Sequence, residues 1–324
     1  MNIKKLLKLA LALIAIILLV LIVFYFWASS PNYSKKEYSQ LIKNDYPEII
    51  DNDSVYSIIT YNIGYLSGMT NNLPVAKTKL LFNNNLLKVY QEFDRIKADI
   101  ICFQEIDYHS KRSYYVNQQQ ELQKIGYNYV FQAVNWDLKY LPYPYFPIKF
   151  QFGEMLSGQS ILSKYPLADA ERIVLSRVAN SPFYRDAFYL DRLAQVCKIV
   201  IDGKTVVLIN VHLEAFDEIT RTNHVNYIVK LYRTYKDRFP VLLTGDFNSD
   251  ISHDNAAIKS ILGISGIKSA VNVHKKTFSS VSPTERLDYI FYNEKYIELK
   301  SAKILTSFGD ASDHLPVIME FKLK

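Results

Sequence analysis

Asn62, Glu105, His212, Asp246, Asn248, Asp288, Asp313 and His314 share a setting: each stands at or just beyond the end of a short, oily, strand-like run. Carboxylates and carboxamides are hard oxygen donors suited to Mg²⁺, and imidazoles move protons near neutral pH. One strand-end Asp or Asn is more often a turn former, and one His a satisfied structural group. So many together exceed what turn chemistry needs. In "LLTGDFNSD" (242–250), Asp246 and Asn248 face the same way if the extended form continues past Gly245, because side chains alternate along a strand.

The elements that must position these groups follow from periodicity. Residues 55–62 (VYSIITYN) and 100–104 (IICFQ) read as strands, separated by Leu86, Val89, Tyr90, Phe93 and Ile96 at helical spacing. "VCKIVIDGKTVVLINVHLE" is two β-rich runs joined by Asp202-Gly203, a strong hairpin signal. Val225, Ile228, Val229, Tyr232 and Tyr235 mark a second amphipathic helix ahead of "VLLTGDFN". Strands outnumber helices and include a hairpin. The expected fold is therefore α/β (α+β): mixed sheets with helices outside, in one domain over residues 54–324.

The N-terminus is of another kind. Lys4, Lys5 and Lys8 precede nineteen uncharged residues, 9–27, that close on Phe24, Tyr25, Phe26 and Trp27. That run is long enough to span a bilayer and longer than the usual apolar region of a cleaved signal. Residues 1–30 are read as a single-pass transmembrane anchor, with the basic end cytoplasmic and the remainder outside; Lys35 and Lys36 beyond the span pull against that orientation. The alternative is a signal peptide removed after Ala28 or Ser29. Residues 31–53 read as a polar linker.

The net charge of +6 is mostly local, since residues 1–40 hold five lysines and one glutamate. About +2 remains for residues 41–324, which argues against duplex DNA as main partner. Cys102 and Cys197 lie in apolar runs without metal-type spacing and read as buried thiols.

The blocks "TYNIG", "ICFQEID", "INVHLE", "LTGDFNS", "RLDYIF" and "SDHLPV", in that order, resemble the endonuclease/exonuclease/phosphatase superfamily, the deoxyribonuclease I-like fold. The resemblance runs from about residue 54 to the C-terminus. It implies a two-sheet sandwich with the site at one end of the stacked sheets, and a Mg²⁺-dependent phosphodiesterase, with Mn²⁺ a substitute. A phosphodiester is an anion, so hydrolysis needs a cation at the non-bridging oxygens, an activated water and a proton for the leaving oxygen. By resemblance Glu105, Asn62 and Asp313 are the metal side. His314, oriented by Asp288, is expected as base, and His212 as acid, with exchange of the two left open. Asp246 and Asn248 are expected to hold water or phosphorus between them. Arg192, in "DRLAQV", resembles a phosphate-contacting arginine; the bland reading is a surface arginine.

Two branches fit the motifs: sphingomyelinase-like lipid phosphodiesterases and deoxyribonuclease I-like nucleases. The inositol-polyphosphate 5-phosphatase branch has a tryptophan before its Gly-Asp block where this chain has Leu243-Thr244, and the abasic-site branch generally lacks a histidine at the His212 position. The stretch 136–160 decides between the two. It carries Trp136, Tyr140, Tyr143, Tyr145, Phe146, Phe150 and Phe152, and "SPFYRDAFYLDR" adds Phe183, Tyr184, Phe188 and Tyr189. Such rings suit a lipid interface, although they could instead fold onto the core or stack on unpaired bases. The favoured expectation is a lipid-type phosphodiester and a bilayer partner. The alternatives are a nuclease acting on nucleic acid and a catalytically idle, membrane-tethered binding module.

Overall fold

A computed structural model describes residues 2–47 and 54–324. Among the described residues the strands are β1 (Ser39–Lys43), β2 (Tyr56–Asn62), β3 (Ile100–Asp107), β4 (Tyr129–Leu141), β5 (Gly153–Ser163), β6 (Leu167–Val174), β7 (Leu193–Ile201), β8 (Lys204–His212), β9 (Val241–Asp246), β10 (Ile267–Ser269), β11 (Asp288–Asn293), β12 (Ile297–Ile304) and β13 (Val317–Leu323). One sheet runs β1-β4-β5-β3-β2-β13-β12 and the other β10-β11-β9-β8-β7-β6. Ile58, Cys102, Phe131 and Ile161 of the first sheet pack against Cys197, Leu208, Leu242 and Ile290 of the second. Both cysteines are free and buried in that seam.

Each sheet contains one parallel pair, β2 with β3 and β8 with β9. Parallel neighbours need a crossover, and the two helices expected from periodicity supply them. Lys79–Ile96 buries Phe82, Val89 and Phe93 on the first sheet, and Glu218–Tyr235 buries Val225, Ile228 and Tyr232 on the second. Strands covered on both faces must be apolar on both, which is why β3 and β9 read as continuous oily runs. The carboxyl ends of the crossover pairs carry Asn62, His212 and Asp246, with Glu105 near the end of β3. At the other end of the second sheet, Asp202 (φ 48°) and Gly203 (φ 72°) make the predicted two-residue hairpin between β7 and β8.

The segment read as a polar linker is largely docked. Asp137 accepts the backbone N–H groups of Asn32 and Tyr33, both at 2.8 Å, and the Tyr38 hydroxyl at 3.0 Å. β1 then adds antiparallel to the edge of β4. The cause is Tyr33, Tyr38 and Ile42, which pack on the helix-covered face of the first sheet. Residues 48–53 of the expected linker lie outside the described residues.

The helix Ile3–Ala28 is long and apolar enough to cross a membrane, a property that a signal sequence shares. Its aromatic end rests on the domain: Phe24 and Trp27 meet Tyr140 at 5.9 and 6.2 Å, and Tyr25 meets Phe183 and Phe188, each at 5.8 Å. The aromatic stretch 136–160 is not one loop. Its ends lie in β4 and β5, where Trp136, Leu138, Leu141, Phe152 and Met155 bury one another; Tyr145 and Phe146 between them are 75% and 80% exposed.

Candidate active site

β9 lies between β8 and β11, and its last residue sets the register of the site. Asp246 pairs with His212 on one side and Asp288 on the other, so three of the candidate residues stand abreast at one end of the sheet. Gly245 permits this: a Cβ there would sit 2.0 Å from the Val211 carbonyl oxygen, and its φ is +136°. Asn248 follows with φ 49°, donates its backbone N–H to Asp246 Oδ1 at 2.9 Å and its amide to the Leu213 carbonyl at 3.0 Å. The extended form therefore ends at Asp246, and a tight turn takes over from the strand alternation expected through Asn248.

The first sheet supplies the facing groups. Asn62, at the end of β2, donates Nδ2 to Asp246 Oδ2 at 2.9 Å and thereby ties the two sheets together; its Oδ1 accepts from the Gly64 N–H at 3.1 Å. Glu105 sits where the β3–β5 register slips, with φ 52°. A bulge of this kind re-aims a side chain, and a non-glycine residue at positive φ is a strained position that recurs at functional sites. Asp313 and His314 approach from the turn before β13, held by Ser312, which donates Oγ to the Asn62 carbonyl at 2.8 Å and accepts the His314 N–H at 3.2 Å.

Two carboxylates converge here. Asn71 Nδ2 is 2.9 Å from Glu105 Oε2 and 3.4 and 3.5 Å from the two oxygens of Asp313. Burial and then the charge of Asp313 push the Glu105 carboxyl upward. Like charges gathered on one neutral amide fit a divalent cation, and the donors are all hard oxygens. Asn62 lies at the same place, but both ends of its amide are engaged, by Asp246 and Gly64.

The imidazoles differ. His314 Nδ1 is 2.9 Å from Asp288 Oδ2, and its Nε2 is 3.8 Å from Asp246 Oδ2. Burial opposes its charge, but Asp288 and Asp246 outweigh this and hold its pKa well above the ordinary value. One ligand atom from each of Asp246, Asp288 and His314 lies within 4.8 Å of the others, close enough to share a proton or a cation. Asp246 is pushed up to about 7, by burial first and by Asp288 among the charges.

His212 faces a cation instead. Arg192 Nη1 stands 2.6 Å from His212 Nε2, and since an arginine only donates, Nε2 is the acceptor and the imidazole is neutral. Burial, then Arg192 and His314, hold its pKa well below the ordinary value. Arg192 is buried, not a surface residue; Glu214 at 3.4 Å balances its charge, and the Tyr189 hydroxyl donates to Glu214 at 3.1 Å. Glu105 and Asp246 lie 3.8 and 3.6 Å from His212 Nε2.

All nine residues singled out in the sequence come together at this edge. Missing from that reading are Asn71, which no motif marks, and Glu214, legible as the last letter of "INVHLE". A buried polar layer beneath the site was also missed: Gln104 donates to Asn210 Oδ1 at 2.6 Å, and Asn210 to Gln195 Oε1 at 2.9 Å.

The chain is similar to known proteins in sequence and in fold. An "Uncharacterized protein YbhP" of Escherichia coli K12 is 25% identical over 232 residues, 70% of this chain and 85% of that protein. A "UPF0294 protein" of Vibrio campbellii is 32% identical over 129 residues; the match covers 38% of this chain and spans 42% of that relative's length. Among solved structures, an endonuclease/exonuclease/phosphatase from Bacteroides vulgatus superposes with TM-score 0.60 at 19% identity, over 83% of this chain and 99% of its own. D. rerio TDP2 complexed with a single-strand DNA product gives 0.57 at 16% identity, over 83% and 100%. The fold is thus the deoxyribonuclease I-like sandwich. With the family profile matching residues 59–314, the chain belongs to the Endonuclease/Exonuclease/phosphatase family, whose members hydrolyse phosphoester bonds.

Proposed function

We propose that this chain is a membrane-anchored, Mg²⁺-dependent phosphodiesterase acting on a lipid-type phosphodiester, nearest in kind to the sphingomyelinase-like branch. The observation that carries the hydrolytic reading is the convergence on Asp246: His212, Asp288, His314 and Asn62 all lie within 4 Å of it or beside it in register. Glu105 and Asp313, with Asn62 alongside, would hold the ion, whose charge would neutralise the non-bridging oxygens of the scissile phosphate. Mn²⁺ would serve in its place.

The chain's own groups divide the proton work. Asp246, whose carboxyl is raised toward neutrality, takes a proton from the attacking water, with Asn248 locked beside it. His314 is flanked by two carboxylates and donates a proton to the leaving oxygen from Nε2. His212, whose Nε2 already accepts from Arg192, is the neutral partner that steers that guanidinium toward the phosphate. This differs from the division expected from the sequence, which gave His314 the base role and His212 the acid role with their exchange left open: here His314 is the acid and Asp246, rather than His212, is the base.

The lipid substrate is supported by the apolar helix Ile3–Ala28, read as a span with its basic end cytoplasmic and the catalytic domain, residues 54–324, outside. Exposed Phe183, which meets Tyr25 at the helix's aromatic end, and the exposed rings of Tyr145 and Phe146 support it further. A nuclease is the second reading, favoured by the neighbour seen with a single-strand DNA product. An idle binding module is disfavoured because every matched catalytic position is intact.

The test offers the full chain in detergent, with and without Mg²⁺, choline, ethanolamine and inositol phospholipids beside supercoiled DNA. Metal-dependent lipid cleavage is expected. Cleavage of DNA alone would transfer the assignment to the nuclease, and no cleavage of any would leave the binding module.

A further inference from the structure

A cleft of about 500 Å³ opens between the residues before the helix Lys79–Ile96, the turn after β3 and the end of the β4–β5 loop. Lys77, Lys79, Lys111, Arg112 and Lys149 line it, and no carboxylate does. Arg112 is the one cation there with a carboxylate of its own, Asp107 at 2.8 Å. Among the described residues the four lysines form no ion pair. Burial, and then the Arg112 charge, lower the Lys77 pKa to about 8. Two of the lysines are visibly placed. Lys77 Nζ binds the Leu73 carbonyl at 2.9 Å and lies 5.4 Å from the Phe152 ring, and Lys111 crosses Gly153, where a Cβ would meet its Cδ at 2.6 Å. Like charges held together on an aromatic floor are built for an anion.

The cleft's position says which anion. Tyr140, on which Phe24 and Trp27 of the apolar helix rest, donates its hydroxyl to Gln151 at 2.7 Å, and Gln151 lines the cleft. One side chain thus separates the end of the helix from the cleft, and the exposed Tyr145, Phe146 and Ile148 lie in the same loop. A polyanion such as DNA would call for a wide basic face, which a modest net charge of +5 over residues 54–324 does not supply. We infer that this cleft binds the headgroup of an anionic phospholipid in the leaflet where the apolar helix ends.

The inference goes beyond the catalytic site and rests on the reading of Ile3–Ala28 as a span. The full chain, purified in an uncharged detergent, is given equal amounts of phosphatidylglycerol and phosphatidylcholine, and the retained lipid is read by native mass spectrometry. Wild type is expected to prefer phosphatidylglycerol by about tenfold or more. Lys77→Gln/Lys149→Gln should lose that preference at an unchanged thermal midpoint, while Lys4→Gln/Lys5→Gln/Lys8→Gln, at the helix's own basic end, should keep it. Equal retention by wild type, or loss only in the Lys4/Lys5/Lys8 variant, would overturn the proposal. So would displacement of the lipid by an equimolar single-stranded oligonucleotide or by inorganic phosphate, each assigning the cleft to that ligand. Alkaline carbonate extraction tests the span separately: release of the chain would overturn the placement at the bilayer, whereas retained chain without lipid preference would overturn the cleft alone.

Discussion

Arg192 donates to His212 Nε2 across 2.6 Å, and Glu214 balances the guanidinium from behind. A neutral imidazole paired with a permanent cation acts as a unit. Arg192→Ala should lower kcat/KM by roughly 10²–10³-fold, and His212→Ala by a similar factor. The double variant should be little worse than either single one, because one unit is removed twice. Costs that simply add would show the two residues acting apart.

His314→Ala should reduce turnover by about 10²–10⁴-fold, the usual contribution of a positioned acid or base. Asp288→Asn should keep the fold yet lose much of the same activity, since the neutral amide neither holds the Nδ1 proton nor favours the imidazolium. Near-normal turnover of His314→Ala, measured with a small soluble diester, would remove it from the chemistry.

Glu105→Gln should sharply raise the Mg²⁺ concentration needed for half-maximal activity. Asn71→Leu leaves both carboxylates in place but frees their orientation, and should weaken metal affinity by about 10–100-fold. Calorimetric metal titration of the full chain reads both. An unchanged titration for Glu105→Gln would exclude it as a ligand.

Asp250, two residues beyond Asn248, tests electrostatics in the turn that supports the site. It accepts from Lys276 Nζ and the Arg286 N–H, each at 2.6 Å, and from the Ser252 N–H at 2.8 Å. Burial alone would raise its carboxyl, but Lys276 and the backbone donors outweigh that and hold it well below the ordinary value. A depressed pKa in the folded state means stabilisation that is fully present above the unfolded value, near 3.8, and is lost as pH falls from there toward the folded pKa. Asp250→Asn should therefore cost roughly 1–3 kcal/mol at neutral pH and flatten the acid limb of the stability curve. Denaturant midpoints between neutral pH and pH about 3 decide it; parallel curves for wild type and variant would contradict the account.

Tyr145→Ser/Phe146→Ser removes two exposed rings. Stability should stay within about 0.5 kcal/mol of wild type, hydrolysis of a soluble diester should be spared, and hydrolysis of bilayer lipid should fall. Equal loss on both substrates would make the loop structural. Tyr143 is left intact because it packs on Phe152 at 5.5 Å.

Local chemistry made much of this protein legible from its letters. Helical spacing marked both crossover helices, oily runs marked the strands they join, and Asp202-Gly203 marked the hairpin, because each signal is satisfied by neighbours in the chain. Candidate residues were legible for the same reason: a polar group at the end of an oily run is conspicuous wherever the run lies. The edge strand β1 was not, since its pairing with β4 depends on Asp137 about a hundred residues away. Nor was the split of the aromatic stretch into a buried pair of strand ends and an exposed tip.

What the sequence settled by itself was the inventory: which groups, on which elements, next to an apolar helix. Tertiary structure alone decided their relations. Asn62 meets Asp246 from 184 positions away, Asn71 gathers two carboxylates, and Arg192, not a carboxylate, donates to Nε2 of His212. Protonation follows from such contacts rather than from residue type, because burial and the nearest charge set a pKa, and both are properties of the folded surroundings.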